Sequence, residues 1–299
     1  MIIKSRIPVS YLFNELKIPL LYVCLIASIS GLLPFFFQSF LSDIPISIAT
    51  TLGIAISILL SYMMNQSYER WWEARKIWGE IVNDSRTLVI QLKMYLNANT
   101  ANIEALSYRQ IAWNHCLGRH LRKTRSIEDL QKWFSEEEYK DIKEKGNIPL
   151  AILSLQSSTI AKLYHNNELD KFSQIQIEET IARLTASMGK CERIKNTIFP
   201  PIYRYGLHSS IYLFVIFLSL SVAFKLQHFA LEFSILVIVS IVFFFLEKAA
   251  FRMQDPFENI PTDTPVTFIA EKIESDILEM LGKENNASPQ TSSRQFYVL

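Results

Sequence analysis

An uncharged stretch, Ile44–Met64, runs directly into a charged and aromatic stretch, Asn65–Gly79. A hydrocarbon core about 30 Å thick requires about 20 helical residues, so the first stretch is long enough to cross a lipid bilayer. The second stretch is rich in Trp, Arg and Glu, and Trp, Tyr, Lys and Arg concentrate where a helix leaves the lipid. We therefore expect a membrane protein, in agreement with an apolar content of 49%.

Three further segments have the composition of membrane spans. The four predicted spans are Ile18–Ser42, Ile44–Met64, Tyr205–Phe224 and Phe229–Leu246. Pro34 is expected to end or kink the first span near its outer end. Basic residues cluster before the first and third spans and after the second and fourth. By the positive-inside rule, both termini and the middle of the chain are cytoplasmic, which predicts a multi-pass protein of the cell (inner) membrane.

The region between the second and third spans is predicted to be helical. Apolar residues recur every three or four positions from Trp71 to Tyr95 and again from Ile177 to Ile198. The fold class is therefore all-α, with four transmembrane helices and a large helical cytoplasmic region. The predicted segments are 1–64 (N-terminal segment and spans 1 and 2), 65–204 (cytoplasmic helices), 205–246 (spans 3 and 4), 247–281 (cytoplasmic C-terminal segment) and 282–299 (disordered tail).

Ile54, Ile58 and Tyr62 lie at i, i+4 and i+8 of the second span and so share one helix face. One interpretation is that this face packs against neighbouring spans. In the other, several copies of the chain surround an axis, and the face forms stacked apolar rings that gate by dewetting. Hydroxyl side chains beside the rings would then supply partial hydration: Thr50, Thr51, Ser57 and Ser61.

Charged residues surround a tryptophan pair directly after the second span. The segment contains Arg70, Trp71, Trp72, Glu73 and Arg75. It could be a membrane-interface belt with its usual basic fringe. It could equally be a structural network of ion pairs and Arg–Trp stacking that fixes the helix against its neighbours.

Two features near the later spans also have two interpretations. Glu232 is a functional candidate because it lies inside a predicted span, but its position near the span's start favours snorkelling to the membrane surface. The paired prolines Pro200 and Pro201 predict a break before the third span. This break could be a simple hinge, or Ile198 and Phe199 could form a second narrow point in a central path.

Signals for catalysis, metal binding and nucleic-acid binding are weak or absent in the sequence. No phosphate-binding loop, nucleophile elbow or zinc-hydrolase helix occurs. His115 and His120 are poorly spaced for a metal, and the three cysteines are far apart and expected to be buried. The formal net charge of +1 gives no argument for nucleic acid. We predict no enzyme activity, no catalytic or metal site and no cofactor.

Four sequence elements together resemble the bestrophin family of ion channels, in its bacterial branch. They are Arg6-Ile-Pro8, the long run Asn65–Gly79, Cys191–Thr197 and Asp255-Pro-Phe257. The resemblance covers about residues 3–281 and implies a homopentamer with one central pore in a bilayer. It also implies a hydrophobic neck of three rings, which fall on Ile54, Ile58 and Tyr62, and a lower cytoplasmic constriction at Ile198 or Phe199.

The resemblance bears on calcium and on ion selectivity. Eukaryotic members bind calcium after the Pro-Phe element, where this chain has only two scattered carboxylates in Glu258–Asp263. Because calcium takes six to eight oxygen ligands, no calcium clasp of that type is predicted. The family implies conduction of small monovalent anions such as chloride. Monovalent cations are the alternative, which an inward-facing ring of Asp43 would mildly favour.

Two other function classes compete with a channel. An ion-coupled transporter could use Glu232, but the sequence has no inverted repeats with broken helices. A membrane-anchored scaffold could bind a partner through its cytoplasmic helices and would conduct no ions.

Overall fold

The structure, a computed structural model, describes residues 8–41, 44–96, 100–124, 127–197, 199–225 and 228–283. These residues form nine α-helices and one 3-10 helix and contain no strand, which confirms the predicted all-α class. The α-helices are α1 (Val9–Leu41), α2 (Ile46–Tyr95), α3 (Thr100–Leu121), α4 (Glu136–Lys143), α5 (Ile148–His165), α6 (Lys171–Asn196), α7 (Pro201–Ala223), α8 (Phe229–Met253) and α9 (Val266–Met280). The 3-10 helix is Glu128–Trp133.

Four helices are long and apolar enough to cross a membrane, as predicted: α1 over Ser10–Pro34, α2, α7 and α8. α1 begins well before the predicted start at Ile18, because charged residues in its first turns do not interrupt the helix. One of them, Glu15, is paired with Arg252 of α8 at 2.7 Å. α1 also continues past Pro34, as membrane helices can when neighbouring groups satisfy the freed backbone.

The chain divides into two compact units. We call the described residues 8–70 and 199–254 the membrane unit, and residues 71–197 and 255–283 the bundle unit. α2 contributes its first half to the membrane unit and its second half to the bundle unit.

The membrane unit is built around α1, which packs against both α7 and α8, while α7 packs against α8. Its apolar core includes Val23 of α1, Ile211 of α7 and Phe244 of α8, all fully buried. α2 joins this core through Ile56 and Met63, which are 1% and 0% exposed. The buried residues of α2 lie on one side of the helix, so its other side is left for a different environment.

The bundle unit has an apolar core of its own. α3 lies at its centre, against α5, α6 and α9. The second half of α2 contributes Trp78, Ile81 and Leu92, which are fully buried, and so confirms the amphipathic stripe that begins at Trp71.

Local sequence signals explain where several helices of the bundle unit begin. Ser135 and Glu138 form a capping box at the start of α4. Asn147 caps α5, which has a proline in its first turn. The Asp170 side chain accepts hydrogen bonds from the backbone N–H groups of Phe172 and Ser173 at the start of α6.

Candidate functional site

One face of α2 in the membrane unit is left exposed by the part of the chain that the structure describes. Ile54, Ile58 and Tyr62 of this face are 59%, 65% and 57% exposed. At 3.6 residues per turn, the three residues span an arc of about 80°. The buried residues of the opposite face are Ala49, Ile56, Leu60 and Met63. Ile54 and Ile58 therefore point away from the buried core of the membrane unit, and Tyr62 shares their helix face.

The exposed face of α2 is more polar than a lipid-facing surface. Its exposed polar residues are Ser47, Thr50, Thr51, Ser57, Ser61 and Asn65. The exposed face of α8 provides a comparison within the same chain. From Phe229 to Leu246 it is apolar except for Ser234. A surface that meets only hydrocarbon gains nothing from hydroxyls, whereas a surface that lines a water-filled path can hydrate an ion with them.

The hydroxyls of this face are held by the helix backbone. Thr50, Thr51 and Ser57 each donate to the carbonyl oxygen four residues earlier, at 3.1, 2.8 and 2.7 Å. A hydroxyl that donates its hydrogen to the backbone presents only oxygen lone pairs to its other neighbours. Ser61 makes no hydrogen bond within the described part of the chain. The face therefore offers mainly hydrogen-bond acceptors beside its apolar residues.

Tyr203 connects the neck face to the residues that precede α7. Its hydroxyl donates to the carbonyl oxygen of Leu59 in α2 at 2.9 Å. Its ring centroid lies 6.4 Å from that of Tyr62 and 5.5 Å from that of Phe199. Of the two residues predicted for the lower constriction, Phe199 is half-buried in this aromatic group and Ile198 lies outside the described residues. Asp43, the predicted outer ring, lies outside them as well.

Tyr203 is absent from the residues that the sequence singles out. Its position in the first turn after two prolines gives no functional signal, because the carbonyl that it binds is 144 residues away. An aromatic side chain with one polar end, at the start of a span, was the available hint.

Two residues directly after the second span, Arg70 and Trp71, donate hydrogen bonds to main-chain carbonyls. In the membrane unit, Nε of Arg70 donates to the Gln254 carbonyl at 2.8 Å. In the bundle unit, Nε1 of Trp71 donates to the Thr262 carbonyl at 2.9 Å, and Trp72 stacks on Trp71 with ring centroids 6.3 Å apart. The segment after α8 is thus attached to α2 within each unit.

The other charged members of the predicted network, Glu73 and Arg75, contribute less to stability than Arg70 and Trp71. Glu73 pairs with Lys76 at 2.7 Å, but both side chains are well exposed, and such pairs add little stability. Arg75 is half-buried and belongs to none of the ion pairs between described residues. The main-chain hydrogen bonds of Arg70 and Trp71 therefore give this segment its structural role.

The loop between α8 and α9 is organised by Asp263. Its Oδ2 accepts from the backbone N–H groups of Asn259 and Ile260, at 2.6 and 3.2 Å. The residue is 1% exposed, and burial raises the pKa of its carboxyl to about 6. For the cationic Arg122, burial has the opposite effect and lowers the pKa, and the negative charge of Asp263 opposes that shift. One Asp263 oxygen therefore already accepts two backbone hydrogen bonds within the segment where the eukaryotic members bind calcium.

Histidine and cysteine side chains of the bundle unit are not brought together. His115 lies 2.6 Å from Glu274, and His120 lies 3.3 Å from Glu192. Within the described residues, no group of three potential ligands could hold a metal ion. Cys116 and Cys191 are buried, as predicted, and burial raises the pKa of each thiol to about 12. Cys24 of the membrane unit is only half-buried, so the prediction is wrong for that residue.

Glu232 does not snorkel to the membrane surface, and that expectation is wrong. The residue is 2% exposed, and Oγ of Ser30 in α1 donates to its Oε1 at 3.4 Å. Ser30 is in turn hydrogen-bonded to Ser219 of α7. Glu232 is thus buried and bonded to α1, a pairing that cannot be inferred from its distance to the end of the span.

Comparisons with known proteins agree with this architecture. The sequence profile of a family described as bacterial/fungal bestrophin protein matches residues 3–279. The voltage-dependent anion channel-forming protein YneE of Escherichia coli K12 is 33% identical over 229 residues, which is 77% of this chain and 74% of that protein. A voltage-dependent anion channel-forming protein of Ralstonia nicotianae is 26% identical over 260 residues, 86% of this chain and 83% of that protein.

A solved structure extends the similarity to the fold. The crystal structure of a bacterial bestrophin homologue from Klebsiella pneumoniae superimposes with a TM-score of 0.85 at 26% sequence identity. The match covers 90% of this chain and 100% of that chain.

Proposed function

The chain belongs to the bacterial and fungal bestrophin family, and we propose that it forms a passive channel for small monovalent anions, chloride among them. Membership confirms the resemblance seen in the Asn65–Gly79 run. The relatives are channel-forming proteins, and the chain is a membrane protein and not an enzyme.

One observation carries the proposal. The first half of α2 has an exposed face on which apolar and hydroxyl side chains alternate, while the exposed face of α8 is almost wholly apolar. The described part of the chain leaves Ile54 and Ile58, at the centre of this face, 59% and 65% exposed. A ring of identical faces around an axis would give these side chains partners and would place the hydroxyls beside water.

We propose five copies around that axis. Five inward faces would stack rings of Ile54, Ile58 and Tyr62 into an apolar neck, which passes ions only when it is wetted. Thr50, Ser57 and Ser61 would line the pore beside the neck, and Ile198 or Phe199 would form the lower constriction. Native mass spectrometry of the purified protein tests the copy number. The expected mass is about 173 kDa, five times the subunit mass of 34.6 kDa.

The membrane topology in this proposal follows the distribution of basic residues. Both termini and residues 65–204 face the cytoplasm, and the protein resides in the inner membrane of the cell. Reporter fusions at the C-terminus and at the short link near Lys225 should therefore show opposite locations.

A specific observation favours a second candidate, a channel for monovalent cations. Thr50, Thr51 and Ser57 donate their hydroxyl hydrogens to the backbone and so present oxygen lone pairs, which suit a cation better than an anion. An apolar neck has no preference for either sign of charge. Anions remain the proposal because the relatives are named as anion channels.

Reversal potentials decide between these candidates. Purified protein is reconstituted in a planar bilayer with a tenfold NaCl gradient, for which a perfectly selective monovalent channel gives about 59 mV. The proposal predicts a reversal potential with the sign of the chloride equilibrium potential. Replacement of chloride by a large organic anion should reduce the current. The opposite sign would assign the cation function, and absence of current in every gradient would refute a channel.

A further inference from the structure

A cavity of about 330 Å³ lies in the membrane unit where the start of α1, the start of α7 and the end of α8 meet. All three helices are membrane spans, so the cavity lies where spans enter the lipid. Tyrosines on its walls are typical of the headgroup level of a bilayer. The residues that carry the argument are Glu15, Tyr22, Arg204, His208, Glu247 and Lys248.

The cavity is lined by a buried carboxylate group, and one of its two oxygens has no hydrogen-bond donor among the described residues. Glu247 is 4% exposed, and its Oε1 lies 2.8 Å from Nδ1 of His208. Its Oε2 is buried and has no hydrogen-bond partner among the described residues. A buried carboxylate oxygen without a donor is costly, so a ligand that supplies a charged N–H group would be favoured here.

Two cations on the same cavity have no carboxylate partner. The Arg204 guanidinium stacks on the Phe251 ring, with Cζ 3.4 Å from the ring centroid, which leaves its N–H edge available to a planar or tetrahedral anion. Neither Arg204 nor Lys248 forms an ion pair with any residue that the structure describes. The remaining carboxylate, Glu15, is neutralised by two contacts with Arg252, at 2.7 and 3.0 Å.

We propose that this cavity binds the headgroup of a phospholipid that carries a primary ammonium, such as phosphatidylethanolamine. The phosphate lies at Arg204 and Lys248, and the ammonium donates to Oε2 of Glu247. A phosphatidylglycerol headgroup lacks the cation that Glu247 attracts, and the quaternary ammonium of phosphatidylcholine has no N–H to donate. The inference rests on these contacts alone and does not depend on ion conduction.

Native mass spectrometry of the purified, delipidated full chain tests the proposal. The protein is mixed at equal concentrations with phosphatidylethanolamine, phosphatidylcholine or phosphatidylglycerol of the same acyl chains. We expect ethanolamine adducts to exceed choline and glycerol adducts by about tenfold, as for one charge-assisted hydrogen bond. Equal binding of the three lipids, or tighter binding of phosphatidylglycerol, would overturn the assignment.

Variants separate the two ends of the headgroup. Glu247→Gln should abolish the preference for ethanolamine over choline. Arg204→Gln, at an exposed position, should weaken binding of the ethanolamine and choline lipids about equally. The matched control is Lys17→Gln, an exposed cation on α1 that does not line the cavity, which should leave all three lipids unchanged. An unaltered preference for ethanolamine in Glu247→Gln, or unaltered binding of these lipids in Arg204→Gln, would refute the site.

A soluble competitor distinguishes a lipid from a free metabolite. Glycerophosphoethanolamine has the same headgroup without acyl chains, and the buried acyl chains of a lipid add affinity that this competitor lacks. At equal concentration it should therefore fail to displace phosphatidylethanolamine. Displacement would contradict a lipid site and assign the cavity to a soluble phosphoamine.

Discussion

Tyr203 donates its hydroxyl to the main-chain carbonyl of Leu59 at 2.9 Å, and so joins the start of α7 to the middle of the neck face of α2. Leu59 follows Ile58 directly, and the Tyr203 ring also contacts Tyr62 and Phe199. One side chain thus contacts both predicted constrictions within the membrane unit. Its hydroxyl and its ring can be tested separately.

Tyr203→Phe removes the hydrogen bond and keeps the ring. We expect the free energy of unfolding to fall by about 0.5–1.5 kcal/mol, the usual net value of one hydrogen bond. Thermal unfolding in detergent measures it, with Tyr205→Phe as the control because Tyr205 is 70% exposed and its hydroxyl has no partner among the described residues. Equal effects of the two substitutions would show that the Leu59 bond adds no stability.

The ring of Tyr203 should matter for conduction. Tyr203→Ala leaves Tyr62 and Phe199 without the ring between them, so we expect ion flux in liposomes to change, whereas Tyr203→Phe should keep wild-type flux. Identical flux from the Ala and Phe variants would argue against a role of this aromatic group in the path.

Ile58→Ala should increase ion flux, because it removes the bulk of one apolar ring from the proposed neck. A decrease of about 1.4 kcal/mol in the barrier corresponds to about tenfold higher flux. Ile238→Ala on α8 is the matched control, since Ile58 and Ile238 are 65% and 63% exposed. Liposome flux that rises in neither variant, or equally in both, would count against a neck at Ile58.

Trp71→Phe should destabilise the protein, because Nε1 of Trp71 donates to the Thr262 carbonyl at 2.9 Å. The expected loss is about 1 kcal/mol. Trp72→Phe offers a control on the adjacent residue, which is 47% exposed, and should have a much smaller effect. A lower unfolding temperature for Trp72→Phe than for Trp71→Phe would reverse the roles assigned to the pair.

The stability of the bundle unit should depend on pH through Asp263. Burial raises the pKa of its carboxyl from 3.8 to about 6, so the folded chain binds this proton more tightly than the unfolded chain does. Stability therefore falls as the pH rises from about 4 to about 6, by up to about 3 kcal/mol, and this contribution is constant above that range.

Asp263→Asn should remove that part of the pH dependence, since an amide oxygen can still accept from Asn259 and Ile260 but does not titrate. Unfolding temperatures between pH 4 and 7.5 measure the difference from wild type. Asp141→Asn, on a side chain that is 69% exposed, is the control and should keep the wild-type slope. If Asp263→Asn kept the wild-type dependence of unfolding temperature on pH, a group other than Asp263 would be responsible for it.

Features that repeat along the chain could be predicted from the sequence. Uncharged runs located the four spans, and three- and four-residue spacing located the stripe from Trp71 that fills the core of the bundle unit. The same spacing put Ile54, Ile58 and Tyr62 on one face, which the structure leaves exposed. These patterns depend only on helix geometry, which is a local property.

Contacts between distant residues could not be predicted in this way. Glu232 was expected at the membrane surface, but Ser30 of α1 covers it, 202 residues away in the sequence. The first span was expected to begin after Lys17, but α1 begins at Val9. Its early charged residue Glu15 pairs with Arg252, which is 237 residues away in the sequence. The hydrogen bond of Trp71 likewise depends on a carbonyl 191 residues away.

The most direct test of the central claim is a cryo-electron microscopy reconstruction of the intact assembly in lipid nanodiscs. Our account predicts five subunits around one axis, with Ile54, Ile58 and Tyr62 facing a continuous central path and narrowing it. Ile54 and Ile58 turned outward to lipid, with no such path along the axis, would contradict it.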